Sequence, residues 1–155
     1  GHAEAQGRLT RWRLDVSTGQ IYRESLVDLA AEFPRIDDRF AMGRHRHGFL
    51  ATASQRQRGD GGVFHEITHI DLDSGLQQVW DAGFGSGVSE PVFVERSKQA
   101  AEGAGWLLAT VYEPDRHTSS LVVLDATAVA DGPVATVRLD HRVPFGFHGS
   151  WRPAA

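Results

Sequence analysis

Residues 9–22 read LTRWRLDVSTGQIY, and their pattern decides the fold. From Leu9 to Val16, two sets of side chains alternate, which is the period of a β-strand. The next four residues, Ser17-Thr18-Gly19-Gln20, have the composition of a hairpin turn, and Ile21-Tyr22 begins a second run. The stretch therefore predicts an antiparallel β-hairpin.

This hairpin pattern returns twice along the chain. Residues 64–72 alternate in the same way before a second short run at 76–80, and residues 121–125 are followed by a run at 134–139. An aspartate closes the first strand of each pair: Asp15, Asp73 and Asp125. Short strands that recur at intervals of roughly 50 residues are typical of β-propeller blades. We therefore predict an all-β chain of about three adjacent antiparallel blades, because three repeats are too few for a closed ring.

Three further runs are predicted to be interior strands of these blades: residues 47–53, 91–95 and 106–112. The last run is almost continuously apolar, as expected for a strand that neighbouring blades cover on both faces. Residues 25–31 and 127–131 are the candidates for a short helical turn. The pattern predicts roughly ten to thirteen strands and little helix.

Composition limits the classes of partner. The net charge is −4, the sequence pI is about 6.0, and 41% of the residues are hydrophobic. Lysine and arginine form no basic face beyond the short patch at 44–47, so we expect no nucleic acid partner. No apolar run approaches the length of a transmembrane helix or a signal peptide. The chain has no cysteine, and we expect a reducing, cytoplasmic location.

Residues His65-Glu66-Ile67-Thr68-His69 satisfy the pattern H-E-x-x-H, which binds zinc when it lies on a helix. Turn residues on both sides and alternating β-branched residues predict a strand here. Two residues four positions apart in a strand are separated by roughly 13 Å, too far to share an ion. We predict that His65 and His69 carry no zinc and are exposed strand residues. The patch Arg44–His47 is interpreted as a solvated loop or edge, because no carboxylate is adjacent in sequence.

Three short strings occur in order: EFPRID at 32–37, SEPVFV at 89–94 and VPFGFHGSW at 143–151. Together they resemble the carboxy-terminal part of the carotenoid cleavage oxygenases, a family that includes stilbene-cleaving and apocarotenoid-cleaving enzymes. The likeness runs from about Arg11 to Trp151. The resemblance implies blades of a seven-bladed β-propeller that holds a non-haem iron with four histidines on its axis.

By this resemblance, His148 is the last iron ligand, and Glu90 and Glu32 are carboxylates that orient ligand histidines. On its surroundings alone, His148 would ordinarily be a buried histidine bonded to a backbone carbonyl. Chemistry makes the ligand role sensible, because neutral imidazole is a good ligand for ferrous iron and a carboxylate on its other nitrogen fixes the tautomer. The flanking residues 145–149, FGFHG, would let the backbone approach closely and keep the metal dry.

The resemblance matches only the final portion of a family member. Residues 1–3, Gly-His-Ala, are interpreted as a tag remnant, and residues 4–155 as the carboxy-terminal blades. The other three ligand histidines are then expected upstream. Fe(II) is expected in the parent protein and not in this chain, which we expect to be inactive by itself.

The parent is therefore expected to be a non-haem Fe(II) dioxygenase that cleaves a carbon–carbon double bond of a carotenoid, apocarotenoid or stilbene with O₂. Two alternatives stay open at this point: a β-propeller module that binds no metal, and a retinoid-type isomerase of the same family. Unpaired strand edges at the ends of the chain also predict self-association.

Overall fold

The computed structural model describes residues 7–54 and 64–153, and it confirms an all-β chain. Eleven strands are present in these ranges, within the expected number. They are β1 (Thr10–Asp15), β2 (Gln20–Ser25), β3 (Ala30–Ile36), β4 (His47–Ala53), β5 (Glu66–Asp71), β6 (Gln77–Asp81), β7 (Gly87–Val88), β8 (Val92–Glu95), β9 (Gly105–Glu113), β10 (Thr118–Asp125) and β11 (Pro133–Arg138). Residues 1–3, interpreted as a tag remnant, lie outside the described residues.

The strands form three antiparallel sheets, none of them closed. One sheet is the β1–β2 hairpin, and the second has the order β3-β4-β5-β6. In the third sheet, β11, β10 and β9 follow one another, and both β7 and β8 pair with the far side of β9. The three hairpins of the sequence repeat are β1–β2, β5–β6 and β10–β11, so each sheet contains one copy of the hairpin, as blades of a propeller do.

In each repeated hairpin, an aspartate at the end of the first strand accepts hydrogen bonds from backbone amides of the connection that follows. Asp15 accepts hydrogen bonds from the Ser17 and Thr18 amides, and Asp125 accepts one from the Thr127 amide. In the second repeat this residue is Asp71, whose Oδ1 accepts from the amides two and three residues further on. The assignment of Asp73 as the strand-closing residue is therefore wrong by two positions, because Asp73 lies inside the turn.

The main core lies between the second and third sheets. Its most buried members are Phe49 and Ile67 from the second sheet and Leu107 and Leu124 from the third. A smaller cluster, which includes Leu50 and Ile70, packs on the opposite face of the second sheet. Strand β9 alternates buried and half-buried residues, so one of its faces is fully covered and the other is covered only in part.

Helix is restricted to single 3-10 turns in the described part of the chain. Residues 25–31, a helix candidate, instead end β2 and begin β3. Residues 127–131 contain the 3-10 turn Val129–Asp131, which agrees with the expected short turn. No helix within residues 7–54 and 64–153 has the length and apolar character needed to cross a bilayer.

Of the H-E-x-x-H residues, His65 directly precedes β5 and the other four lie in this extended strand, as predicted, but the two histidines are not exposed. His65 and His69 are 1% and 6% exposed, because β5 is an interior strand whose faces are both covered. His69 Nε2 lies 2.9 Å from His47 Nδ1 on the neighbouring strand. The patch Arg44–His47 is therefore solvated only in part, since Arg46 also pairs with Asp71 at 2.5 Å.

Candidate metal centre

Glu90 lies in the short link between β7 and β8, and its side chain is 4% exposed. Three donors surround its carboxylate. Oε1 is 3.1 Å from His148 Nδ1, and Oε2 accepts from the Gly149 amide at 2.7 Å. Oε2 also accepts from Arg35 Nη1 at 3.2 Å. A buried carboxylate with this many donors is held in one orientation.

The charge of Glu90 is stabilised by these donors. Burial by itself would raise the pKa of this carboxyl group. The hydrogen bonds from the Gly149 amide and from His148, together with the positive charge of Arg35, outweigh burial and hold the pKa of Glu90 below its ordinary value. Glu90 is therefore an anion near neutral pH and accepts a hydrogen bond from the Nδ1–H of His148.

His148 lies in an irregular segment that follows β11, and it is the residue that this segment brings to Glu90. Its side chain is 75% exposed in this chain, so the reading of His148 as an ordinary buried histidine is wrong here. The Phe33 ring meets the imidazole edge-on, with 6.0 Å between the ring centroids. Because Nδ1 faces Glu90, Nε2 is left on the outer side of the ring, available to a metal.

The two glycines near His148 were expected to let the backbone pass close to other atoms, and in this chain only one of them does so. A Cβ at Gly149 would lie 3.3 Å from Val92 Cγ2, so this position is tight. A Cβ at Gly146 would meet nothing within 4 Å in this chain, so crowding at that position remains a prediction for the longer protein. Phe145 and Phe147 are 56% and 78% exposed in this chain and do not shield the imidazole.

Arg35 is a member of this site that the sequence reasoning did not single out. It extends from β3 and joins the second sheet to the third, because Nη1 contacts both Glu90 and the Gly149 carbonyl, the latter at 3.1 Å. Nη2 pairs with Asp38 at 3.3 Å. A useful signal was available, since Arg35 lies inside the string EFPRID and is a lone cation in a strand with buried members.

Glu32 lies on β3 but is not brought to His148 or Glu90 by any described contact. It is exposed, and its carboxylate rests over Gly7, where a Cβ would lie 2.6 Å from Oε1. Directly after Glu32 the register of β3 against β4 shifts, and Phe33 has a φ of 55°. A bulge of this kind redirects the strand and is how Phe33 reaches the imidazole.

Two open apolar clefts flank the segment that carries His148. The larger, of about 430 Å³, is lined by Glu90 and His148 together with apolar side chains such as Leu108, Phe147 and Trp151. The smaller, of about 180 Å³, includes Phe33, Phe64, Tyr112 and Phe145. The imidazole therefore stands beside surfaces suited to an apolar ligand.

The arrangement of His148 beside the buried Glu90 carboxylate suits a single ligand to iron. Histidines that bind metals generally donate the second ring N–H to a carboxylate, which fixes the tautomer and increases basicity. The His148–Glu90 pair has this form, with the carboxylate buried and the other nitrogen free of described partners. A single imidazole cannot complete the coordination of iron, and Glu32 lies apart from it.

Comparison with known proteins identifies the class to which this fold and site belong. The family model described as retinal pigment epithelial membrane protein matches residues 2–153. This chain therefore belongs to that family, which is the family of the carotenoid oxygenases.

Three similar proteins illustrate the relationship. Isoeugenol monooxygenase from Pseudomonas nitroreducens is 38% identical over 158 residues, which cover 97% of this chain and 33% of that protein. The structure of Pseudomonas brassicacearum lignostilbene dioxygenase superposes with a TM-score of 0.87 at 33% identity, over 94% of this chain and 32% of that one. A cobalt-substituted apocarotenoid oxygenase from Synechocystis gives a TM-score of 0.89 at 30% identity, over 96% and 31%. The chain thus spans about one third of the length of these relatives.

Proposed function

We propose that residues 4–155 are the carboxy-terminal blades of a non-haem Fe(II) oxygenase that cleaves a carbon–carbon double bond with O₂. In this proposal His148 is the last of four ligand histidines and binds iron through Nε2. The observation that carries it is the contact of 3.1 Å between His148 Nδ1 and the buried carboxylate of Glu90. A module without metal would be favoured if His148 pointed away from Glu90, and this contact disfavours that alternative.

The chain's own residues have distinct tasks in this proposal. Glu90 accepts a hydrogen bond from the Nδ1–H of His148, which leaves Nε2 as the atom that binds the metal. Arg35 and the Gly149 amide hold the Glu90 carboxylate in place. Glu32 orients a second ligand histidine from outside this chain. When bound, the iron supplies the redox chemistry that activates O₂.

The substrate proposed is an apolar molecule with a conjugated double bond, such as a stilbene or an apocarotenoid. Two observations support this class. The clefts beside His148 are lined largely by aromatic and aliphatic side chains. The similar proteins are named for lignostilbene, apocarotenoid and isoeugenol, which all fit this description.

This chain alone is proposed to be inactive, because three of the four ligands belong to the upstream part of the longer protein. One imidazole binds ferrous iron weakly in competition with water. The open edges of the sheets are proposed to favour self-association of the separate chain, since unpaired strand edges recruit further strands.

The test uses the longer protein that carries this chain, loaded with Fe(II) and supplied with a hydroxystilbene and an apocarotenoid. We expect O₂-dependent formation of two carbonyl products from one of these substrates. His148→Ala should abolish turnover, and Glu90→Ala should reduce it by roughly 10- to 100-fold. Full turnover by the His148→Ala protein would refute the ligand role.

A further inference from the structure

A group of metal-binding side chains lies where strands β5 and β6 pair. His65, Glu66 and Asp81 each offer one ligand atom, and these three atoms lie within 4.8 Å of one another. Asp81 is directly opposite Glu66 in the register of β5 and β6. The strand argument excludes an ion shared by His65 and His69, but it does not concern this group, since His69 turns to His47 instead.

The imidazole of His65 gives the independent observation. Its Nε2 is fully buried and has no hydrogen-bond partner among the described residues. The atom points into the group, because Glu66 Oε1 lies 3.5 Å away. A buried polar atom that lacks a partner destabilises the folded state, so such atoms are uncommon unless a water or an ion satisfies them.

The carboxylate of Glu66 is prepared in a complementary way. Its Oε2 accepts a hydrogen bond from Thr52 Oγ1 at 3.0 Å, which fixes the side chain and leaves Oε1 toward His65. Zinc binds imidazole nitrogen and carboxylate oxygen at about 2.0–2.2 Å, so two tetrahedral ligands stand about 3.4 Å apart. The observed separation of 3.5 Å between Nε2 and Oε1 matches this spacing.

The charges also favour a cation. Glu66 and Asp81 are like charges in directly opposite positions, a pairing that destabilises an antiparallel sheet. Within the described part of the chain, neither carboxylate forms an ion pair with lysine or arginine, and Glu66 is only 5% exposed. A divalent ion between them would remove the repulsion.

We propose that His65, Glu66 and Asp81 form a binding site for a divalent transition-metal ion of the zinc class, separate from the iron site. The imidazole favours zinc or cobalt over calcium and magnesium, which prefer oxygen ligands. Asp81 is exposed on the edge strand β6, which gives the ion a path from solvent. The ion would tie this edge strand to the interior strand β5.

The test is calorimetric titration of the metal-free 155-residue chain with Zn²⁺, repeated with Co²⁺ to record the visible bands of tetrahedral cobalt. We expect one high-affinity ion at this site per chain. His65→Gln and Asp81→Asn should each weaken binding by at least roughly 10- to 100-fold and remove the cobalt bands. Asp81→Asn is the safer variant for folding, since Asp81 is exposed.

The controls separate this site from the other histidines. His69→Gln changes the second histidine of the same motif and should leave affinity within about 2-fold, as should His141→Ala, which changes an exposed histidine. Binding that survives both His65→Gln and Asp81→Asn, or its absence from the folded chain, would overturn the proposal. Because this test measures zinc binding and not turnover, failure here would leave the proposed oxygenase function unaffected.

Discussion

Replacement of Glu90 by glutamine tests how the segment that carries His148 is held. Glu90→Gln keeps the size of the side chain but removes its charge and turns one acceptor oxygen into a donor. The Gly149 amide, His148 and Arg35 all contact this carboxylate, so at least one of the three loses its acceptor. Hydrogen bonds to a charged group contribute about 1.5–3 kcal/mol each.

This energy predicts a measurable change in amide hydrogen exchange at Gly149. The segment is irregular and its other contacts are few, so we expect its amides to exchange through local opening. A loss of about 1.5–3 kcal/mol makes exchange roughly 10- to 100-fold faster. Exchange followed by NMR, or by mass spectrometry of a peptide that covers residues 143–153, measures it.

Asp38→Asn is the matched control for this experiment. Asp38 pairs with the same Arg35 but is 77% exposed and forms no hydrogen bond with residues 143–153, so its neutralisation should change exchange at Gly149 by less than about 2-fold. If Glu90→Gln left the Gly149 rate within that same limit, or if both variants accelerated it equally, the anchoring role of the Glu90 carboxylate would be wrong.

Three further predictions concern stability, each measured by urea unfolding. Burial, with the charge of His47, lowers the pKa of His69 to about 4. Since the folded state favours neutral His69, the free energy of unfolding should be constant above about pH 6.5 and fall by at most about 3 kcal/mol toward pH 4. His69→Phe should flatten this pH dependence, and an unchanged slope would contradict the assignment. Arg39→Met should lower the free energy of unfolding by about 3–5 kcal/mol, because Asp37, which is 1% exposed, loses its ion pair of 2.5 Å. A loss below about 1 kcal/mol would show that the fold does not need this pair. Leu107→Ala should lower the free energy of unfolding by about 2–5 kcal/mol, since Leu107 is fully buried between the two larger sheets. An almost unchanged free energy would mean that these sheets do not pack as described.

The hairpins could be predicted from sequence because their determinants are local. Alternation and turn composition lie within about fifteen residues, and the aspartate of each turn bonds to amides two or three residues away. Burial was harder to predict. Polar β5 reads as a surface strand, but Thr52 on β4 bonds both Glu66 and Thr68, so these side chains are satisfied inside the protein.

The candidate site depends on contacts that join distant parts of the chain. The sequence resemblance indicated His148 and Glu90, and the structure brings these two residues together. It did not indicate Arg35, whose role arises only when the second sheet packs beside the third. Glu32 remains a prediction, because its proposed histidine partner lies outside this chain.

The central claim is that His148 binds iron, and the iron content of the longer protein tests it most directly. Iron would be measured per protein molecule for the parent protein, for His148→Ala and for His141→Ala. His141 is a suitable control because it is exposed and also has a carboxylate, Asp140, 2.6 Å from its Nδ1. We expect nearly one iron in the parent and in His141→Ala, and almost none in His148→Ala. Equal iron in the folded His148→Ala and His141→Ala proteins would contradict the account.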